Sequence, residues 1–272
     1  MRTTGRQESG AEEHSEARSP TASAFAGPGP PADRRTLIEE TLVVLSLSLL
    51  AAAAFAILDF TRAPVNKSVA RAIVSQAPRL ADQIVPVLFA LAPVWLVFYL
   101  LRRNGESAST IGMALDRPWR DLATGAVLAA IVGGIGVVAY VVAVRLGVNR
   151  FVVPTPPLGL WWTYPILVLN AAQNALLEET VVLGFLVTRL RQIGWAPAAA
   201  VGASALLRGS YHLYQGWGGF LGNLAMGLFF GWLFLRWRRT WPMVFAHTLV
   251  DVGAGVLYIL FNDQLLRLLR IA

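Results

Sequence analysis

Cysteine is absent from the 272 residues, which removes disulfides, thiolate nucleophiles and Cys-ligated zinc from consideration. Any chemistry must be carried by oxygen and nitrogen groups. Charge is scarce as well: Asp, Glu, Lys and Arg make up 14% of the chain, where soluble domains carry about 25%. That scarcity excludes an ordinary water-soluble surface. Histidine occurs only three times, at His14, His212 and His247, so imidazole chemistry has few places to reside.

What is abundant is apolar, at 56% of the residues. A helix needs about 20 consecutive mostly apolar residues to cross the roughly 30 Å hydrocarbon layer, and the chain offers several such runs. The pattern predicts an all-α polytopic transmembrane bundle of seven spans: 42–60, 84–101, 122–144, 160–190, 196–213, 220–237 and 242–261. The fourth run is too long for one straight crossing, so it is tilted, extended past the bilayer, or broken in two, which would make eight spans. Residues 1–35 are rich in Gly, Ser, Pro, Glu and Arg with few large apolar side chains, which reads as a disordered tail ahead of a transmembrane domain over 36–272. The tail does not have the form of a secretory signal, because the first apolar run starts near residue 41 and no cleavage pattern follows it.

The net charge of +7 sits in short loops between apolar runs rather than on one polar face, which argues against a nucleic-acid partner and for topology signals. With seven spans and the N-terminus inside, the inner segments hold 14 Lys and Arg residues and the outer segments eight. The excess places the N-terminus in the cytoplasm and makes the lipid bilayer the protein's first partner.

Ionisable groups inside a bilayer cost several kcal/mol and need a partner or a cavity. Here they gather on three late helices: Asn174, Glu178 and Glu179 on the fourth run, Arg208 and His212 on the fifth, His247 and Asp251 on the seventh. Residues four apart share a helix face. Asn174 with Glu178, Arg208 with His212, and His247 with Asp251 therefore form three polar stripes, and packing turns them toward one interior cavity. Carboxylates, two imidazoles and a guanidinium are the equipment of an acid/base hydrolase. Ser204 and Ser210 lack the setting of a covalent nucleophile.

The segment Leu177-Glu178-Glu179-Thr180-Val181-Val182-Leu183, then Arg208-Gly209-Ser210-Tyr211-His212, then His247-Thr248-Leu249-Val250-Asp251 resembles the three motifs of the CAAX prenyl protease and bacteriocin-processing (CPBP, or Abi) intramembrane proteases. Those motifs are Glu-Glu-x-x-x-Arg, Phe-x-x-x-His and His-x-x-x-Asn/Asp, and the likeness covers about residues 160–260. Two positions depart from it. Leu183 stands where the first motif has Arg, and Arg208 stands where the second has Phe. Two buried carboxylates need a cation, so Arg208 is expected to approach Glu178 and Glu179 from the facing helix.

The resemblance implies an endopeptidase of a bacterial cell membrane that hydrolyses peptide or protein substrates at or in the bilayer. Glu178 with His212 would activate water, His247 with Asp251 would face the oxyanion, Glu179 would position the pair, and Arg208 and Asn174 would support them. Two cofactor readings stand side by side. Glu178, His212 and His247 would make an acceptable zinc set of three protein ligands plus water, and the same residues could act without metal. Two other functions are compatible with intramembrane Glu, His and Asp: a catalytically silent scaffold or immunity protein of the same fold, and a small transporter or proton relay.

Overall fold

The computed structural model describes residues 33–62, 70–72 and 74–269, and absences stated below concern those residues. The tail expected over 1–35, with His14, lies outside them up to residue 32. Helix begins immediately afterward, at Arg34.

Each of the seven apolar runs is helical. The first is bent: α1 (Arg34–Ser46) and α2 (Leu49–Arg62) meet at 50°. At the bend Ser48 Oγ donates to the Val44 carbonyl at 2.6 Å, the kind of side-chain competition that bends helices. The second run holds α3 (Leu80–Ala90), with Pro86 inside it, and α4 (Ala92–Arg103), with Pro93 in its first turn. The third is α5 (Pro118–Arg145), opened by a proline where no amide partner is needed. The fourth is a single helix of 30 residues from Thr163 to Gln192. It divides into α6 (Thr163–Glu178), a π-helical stretch (Glu179–Leu186) and α7 (Val187–Gln192). No eighth span is needed, because the long run is continuous. The remaining helices are α8 (Pro197–Tyr211), α9 (Trp217–Trp237) and α10 (Trp241–Leu269), the last passing a non-helical residue at Phe261 and ending beyond the expected limit.

Five helices are long and apolar enough to cross a membrane, or six with the bent pair taken as one. The run not among them is α8, whose 15 residues reach only about 22 Å. Large apolar side chains such as Phe55, Phe89, Ile135 and Val138 stand on the outer faces, 65–75% exposed, a surface that only lipid can cover. The protein is an integral membrane protein built as an all-α bundle. Strand is confined to β1 (Ala70–Ala72) and β2 (Phe151–Val153), a short parallel pair in register Ala70 to Phe151 that ties two loops together.

The core is organised around the π stretch, every residue of which is buried. Val181, Val182 and Phe185 pack with Val44 of α1, Val97 and Leu101 of α4, Phe230 and Phe234 of α9 and Met243 of α10. Ser204 Oγ of α8 donates to the Val182 carbonyl at 2.6 Å, fixing the height of α8 against the stretch. At one end Arg239, between α9 and α10, clamps the loop before α5: its Nε donates to Asp121 and its Nη1 to Asp116, both at 2.8 Å. The hydrogen bond from Arg239 holds the Asp116 carboxyl below the usual carboxylate range. Its contribution to stability is therefore complete above the ordinary carboxylate pKa and lost as pH falls through the lowered value.

The close approach of α8 and α9 depends on Gly227, where an added Cβ would meet Ala205 Cα at 2.9 Å and Arg208 Cδ at 3.3 Å. Gly227→Val must force the two helices apart, at a cost of about 1–3 kcal/mol. Thermal melts in detergent should fall by several degrees, whereas Gly222→Ala, with nothing within 4 Å, should leave the melt unchanged or slightly raised. An undiminished Gly227→Val melt would contradict the tight α8–α9 packing.

Candidate active site

Glu178 closes α6 and Glu179 opens the π stretch. A π turn holds more residues than an α turn, so successive side chains diverge less around the axis. That narrower spread lets two adjacent carboxylates face the same neighbour, α8. The residues that meet them are Arg208 and Tyr211, three apart and so on one face of α8.

The two carboxylates are held differently. Glu179 Oε1 receives Arg208 Nη2 at 2.6 Å and His247 Nδ1 at 2.8 Å. Side-chain exposure is 2% for Arg208 and 0% for Glu179, so this is a dry ion pair. Glu178 Oε2 receives the Tyr211 hydroxyl at 2.7 Å, while Arg208 Nη1 stays 3.8 Å away, inside ion-pair range but beyond a hydrogen bond. Arg208 thus meets both carboxylates from the facing helix, at the position where the first-motif arginine is replaced by the buried Leu183.

His247 of α10 stands between two carboxylates. Its Nδ1 donates to Glu179, and its Nε2 lies 3.6 Å from Asp251 Oδ2. Asp251 in turn accepts a long hydrogen bond from Asn174 Nδ2 at 3.5 Å. Arg208, Glu179, His247, Asp251 and Asn174 therefore form one chain of contacts across α8, α6 and α10. His212 touches none of these carboxylates directly. Its Nδ1 donates to the Arg208 carbonyl at 3.1 Å, which leaves Nε2 as the acceptor of a neutral ring. His212 joins the site through α8, one residue beyond the Tyr211 that donates to Glu178.

The chain just after His212 is fixed from outside. Gly216, at φ 111, turns it into α9, and the loop before β2 grips the turn. Arg150, 3% exposed, donates through Nη1 to the Tyr214 carbonyl at 2.5 Å and to Asp59 at 2.7 Å, and its backbone N–H donates to Gln215 at 2.6 Å. Asn149 Oδ1 accepts from Gly219 N–H at 2.6 Å. Neither Arg150 nor Tyr211 was singled out by spacing. Tyr211 carried a signal all the same, since it lies three residues after a buried Arg and beside a His. Arg150 carried none, because a lone loop arginine looks like a topology charge.

The zinc set read from the sequence does not assemble. Among the described residues no group of three or more His, Asp or Glu side chains is placed to hold a metal ion. Glu178 is hydrogen-bonded to Tyr211, and each imidazole is committed through Nδ1 alone, His247 to Glu179 and His212 to a backbone carbonyl.

Residues 160–253 match the family described as Type II CAAX prenyl endopeptidase Rce1-like. No curated protein and no solved structure matches the chain. The matched segment contains all five acid/base candidates, Glu178, Glu179, His212, His247 and Asp251, together with Asn174 and Arg208.

Removing one partner of a buried ion pair strands the other and costs about 3–5 kcal/mol. Arg208→Leu should accordingly lower the detergent melting temperature by many degrees. Arg208→Lys, which keeps the charge but loses the second donor arm, should lose distinctly less. Equal melts for Arg208→Leu and wild type would contradict the dry Arg208–Glu179 pair.

Proposed function

From the match of residues 160–253 to the Type II CAAX prenyl endopeptidase Rce1-like family, we propose that the protein is an intramembrane endopeptidase in which Glu178 and His212 activate water against a peptide carbonyl of a membrane-associated substrate. The observation that carries this reading is the convergence of Glu178, Glu179, Arg208, His247 and Asp251 from three helices on one buried site.

The division of labour follows from which groups are already engaged. Glu179 accepts from Arg208 and His247 on Oε1 and is 0% exposed, with Oε2 buried and without a hydrogen-bond partner, so its burial and its ion pair make it a group that fixes the site rather than one that meets water. Glu178 has only Tyr211 hydrogen-bonded to it, and its Oε1 has no partner among the described residues, which leaves it free to take the water proton. His212 offers Nε2 as a second acceptor that orients the water. As the water oxygen bonds to the substrate carbonyl carbon, its proton passes to Glu178 and negative charge collects on the carbonyl oxygen. His247 Nε2, 3.6 Å from Asp251 and so not committed to a hydrogen bond, is positioned to donate to that oxyanion. Collapse of the intermediate breaks the C–N bond, and the proton held by Glu178 goes to the leaving amine.

A covalent route has less support. Ser204 Oγ is buried and committed to the Val182 carbonyl, and Ser210 Oγ to the Leu206 carbonyl at 2.8 Å; neither has a base within hydrogen-bonding reach. Arg208 supplies the charge that the first motif lacks at Leu183, which supports an active member over a silent scaffold. This reading takes a cytoplasmic N-terminus from the loop charges and a bacterial cell membrane from the family resemblance.

The test uses purified protein in detergent or proteoliposomes with quenched fluorescent peptides, both with and without a C-terminal prenyl group, and cleavage products identified by mass. General-base catalysis contributes roughly 10²–10⁴-fold, so Glu178→Gln and His212→Ala should each lose at least 10²-fold in kcat while inserting normally. Full activity in either variant, or a wild-type protein that cleaves none of the peptides, would sink the reading.

A further inference from the structure

We infer that Tyr211 is a positioning residue for Glu178, selecting which of the two adjacent glutamates serves as the base and holding one oxygen of its carboxylate so that the other stays open. The assignment rests on the endopeptidase reading above and adds to it a group at a position that the second motif leaves unspecified.

Tyr211 and Glu178 are 5% and 3% exposed, and the phenol donates to Glu178 Oε2 at 2.7 Å. No other hydrogen bond reaches Glu178 among the described residues, since Arg208 Nη1 stops at 3.8 Å. A single donor fixes the plane and direction of a buried carboxylate. The two oxygens are equivalent, so Tyr211 engages one of them and leaves the other open.

The pairing is set by helix geometry. Arg208 and Tyr211 present a charged donor and a neutral donor three residues apart on α8, and they meet Glu179 and Glu178 in that order. The strongly charged donor immobilises Glu179. The phenol, uncharged and limited to one proton, orients Glu178 without the stronger pull that a guanidinium exerts on a carboxylate. An arginine hydrogen-bonded to Glu178 would restrain its proton uptake; a tyrosine does so far less. The same Tyr211 ring lies 4.8 Å from the His212 ring, so the phenol stands beside both proposed water-activating groups.

A purely structural Tyr211 is the rival account, because its ring lies in the hydrophobic core. Tyr211→Phe separates the two, as it keeps the ring and deletes the hydroxyl. In the peptide assay Tyr211→Phe should lose roughly tenfold in kcat with KM changed less than twofold, and in a Glu178→Gln background the same change should cost nothing further. Melting temperatures of the four proteins should be non-additive, which registers the contact independently of activity. An active wild type with an unaltered Tyr211→Phe kcat, a loss confined to KM, or an equal loss in the Glu178→Gln background would each overturn the assignment alone. A wild type that cleaves nothing overturns the proposed function and this assignment together.

Discussion

A guanidinium and a carboxylate at 2% and 0% side-chain exposure are the most demanding pair of groups in this molecule. Taking each from water costs several kcal/mol, and only short, well-directed contacts return it. The Arg208–Glu179 pair at 2.6 Å meets that condition, and other parts of the site are placed by it. His247 reaches α6 through the same Glu179 oxygen, and His212 Nδ1 rests on the Arg208 backbone carbonyl. A displacement of α8 along its axis would therefore disturb both imidazoles at once. The Ser204 hydrogen bond and the close passage at Gly227 hold that height on two sides of the helix.

A second buried charge cluster stabilises the opposite end of the same helix. Arg189 of α7, 1% exposed, pairs with Glu106 at 2.6 Å and lies 3.9 Å from Glu40 of α1, while Asn104 donates to Glu40 and Gln192 to Glu106. The guanidinium also lies over the Phe185 ring at 5.0 Å, a favourable placement for a desolvated cation. The continuous helix from Thr163 to Gln192 is thus tied electrostatically to α8 and α10 near its middle and to α1 and the loop after α4 near its end. Such double anchoring suits a helix containing a π stretch, because π geometry has weaker intrinsic preference than α and must be imposed by packing.

The legible part of the fold was the part written in lipid. Apolar runs located every helix because the bilayer thickness sets a length scale that side-chain chemistry must meet. The site was legible for a related reason: in a chain with so few internal charges, Glu178, Glu179, Arg208, His247 and Asp251 stood out individually, and four-residue spacing gave their faces. What could not be read were contacts whose partners look ordinary alone. Arg189 counted as a loop charge because it follows the apolar run, yet it is buried. Tyr211 stood only as an unspecified position within the second motif. The π stretch left only the excess length of the fourth run, which tilt would explain equally well. Glu178, His212 and His247, which the sequence offered equally to zinc and to metal-free chemistry, are not grouped as a metal set among the described residues, because ligand identity is visible in sequence and relative position is not.

The exchange of a motif arginine for Leu183 has a simple physical reading. A carboxylate pair in low dielectric constrains where positive charge must be in space, without constraining which helix carries it. Leu183 is 2% exposed within the core cluster, packed among apolar neighbours, and an arginine there would need its own polar surroundings. Arg208 brings the charge from α8 instead, and the consequence is asymmetric: its guanidinium is hydrogen-bonded to Glu179 and only within ion-pair distance of Glu178. The neutral phenol of Tyr211 fills the position that remains. With the cation on α8, neutralising the pair and, in the proposed mechanism, orienting the carboxylate that takes the proton fall to two residues three positions apart on one helix.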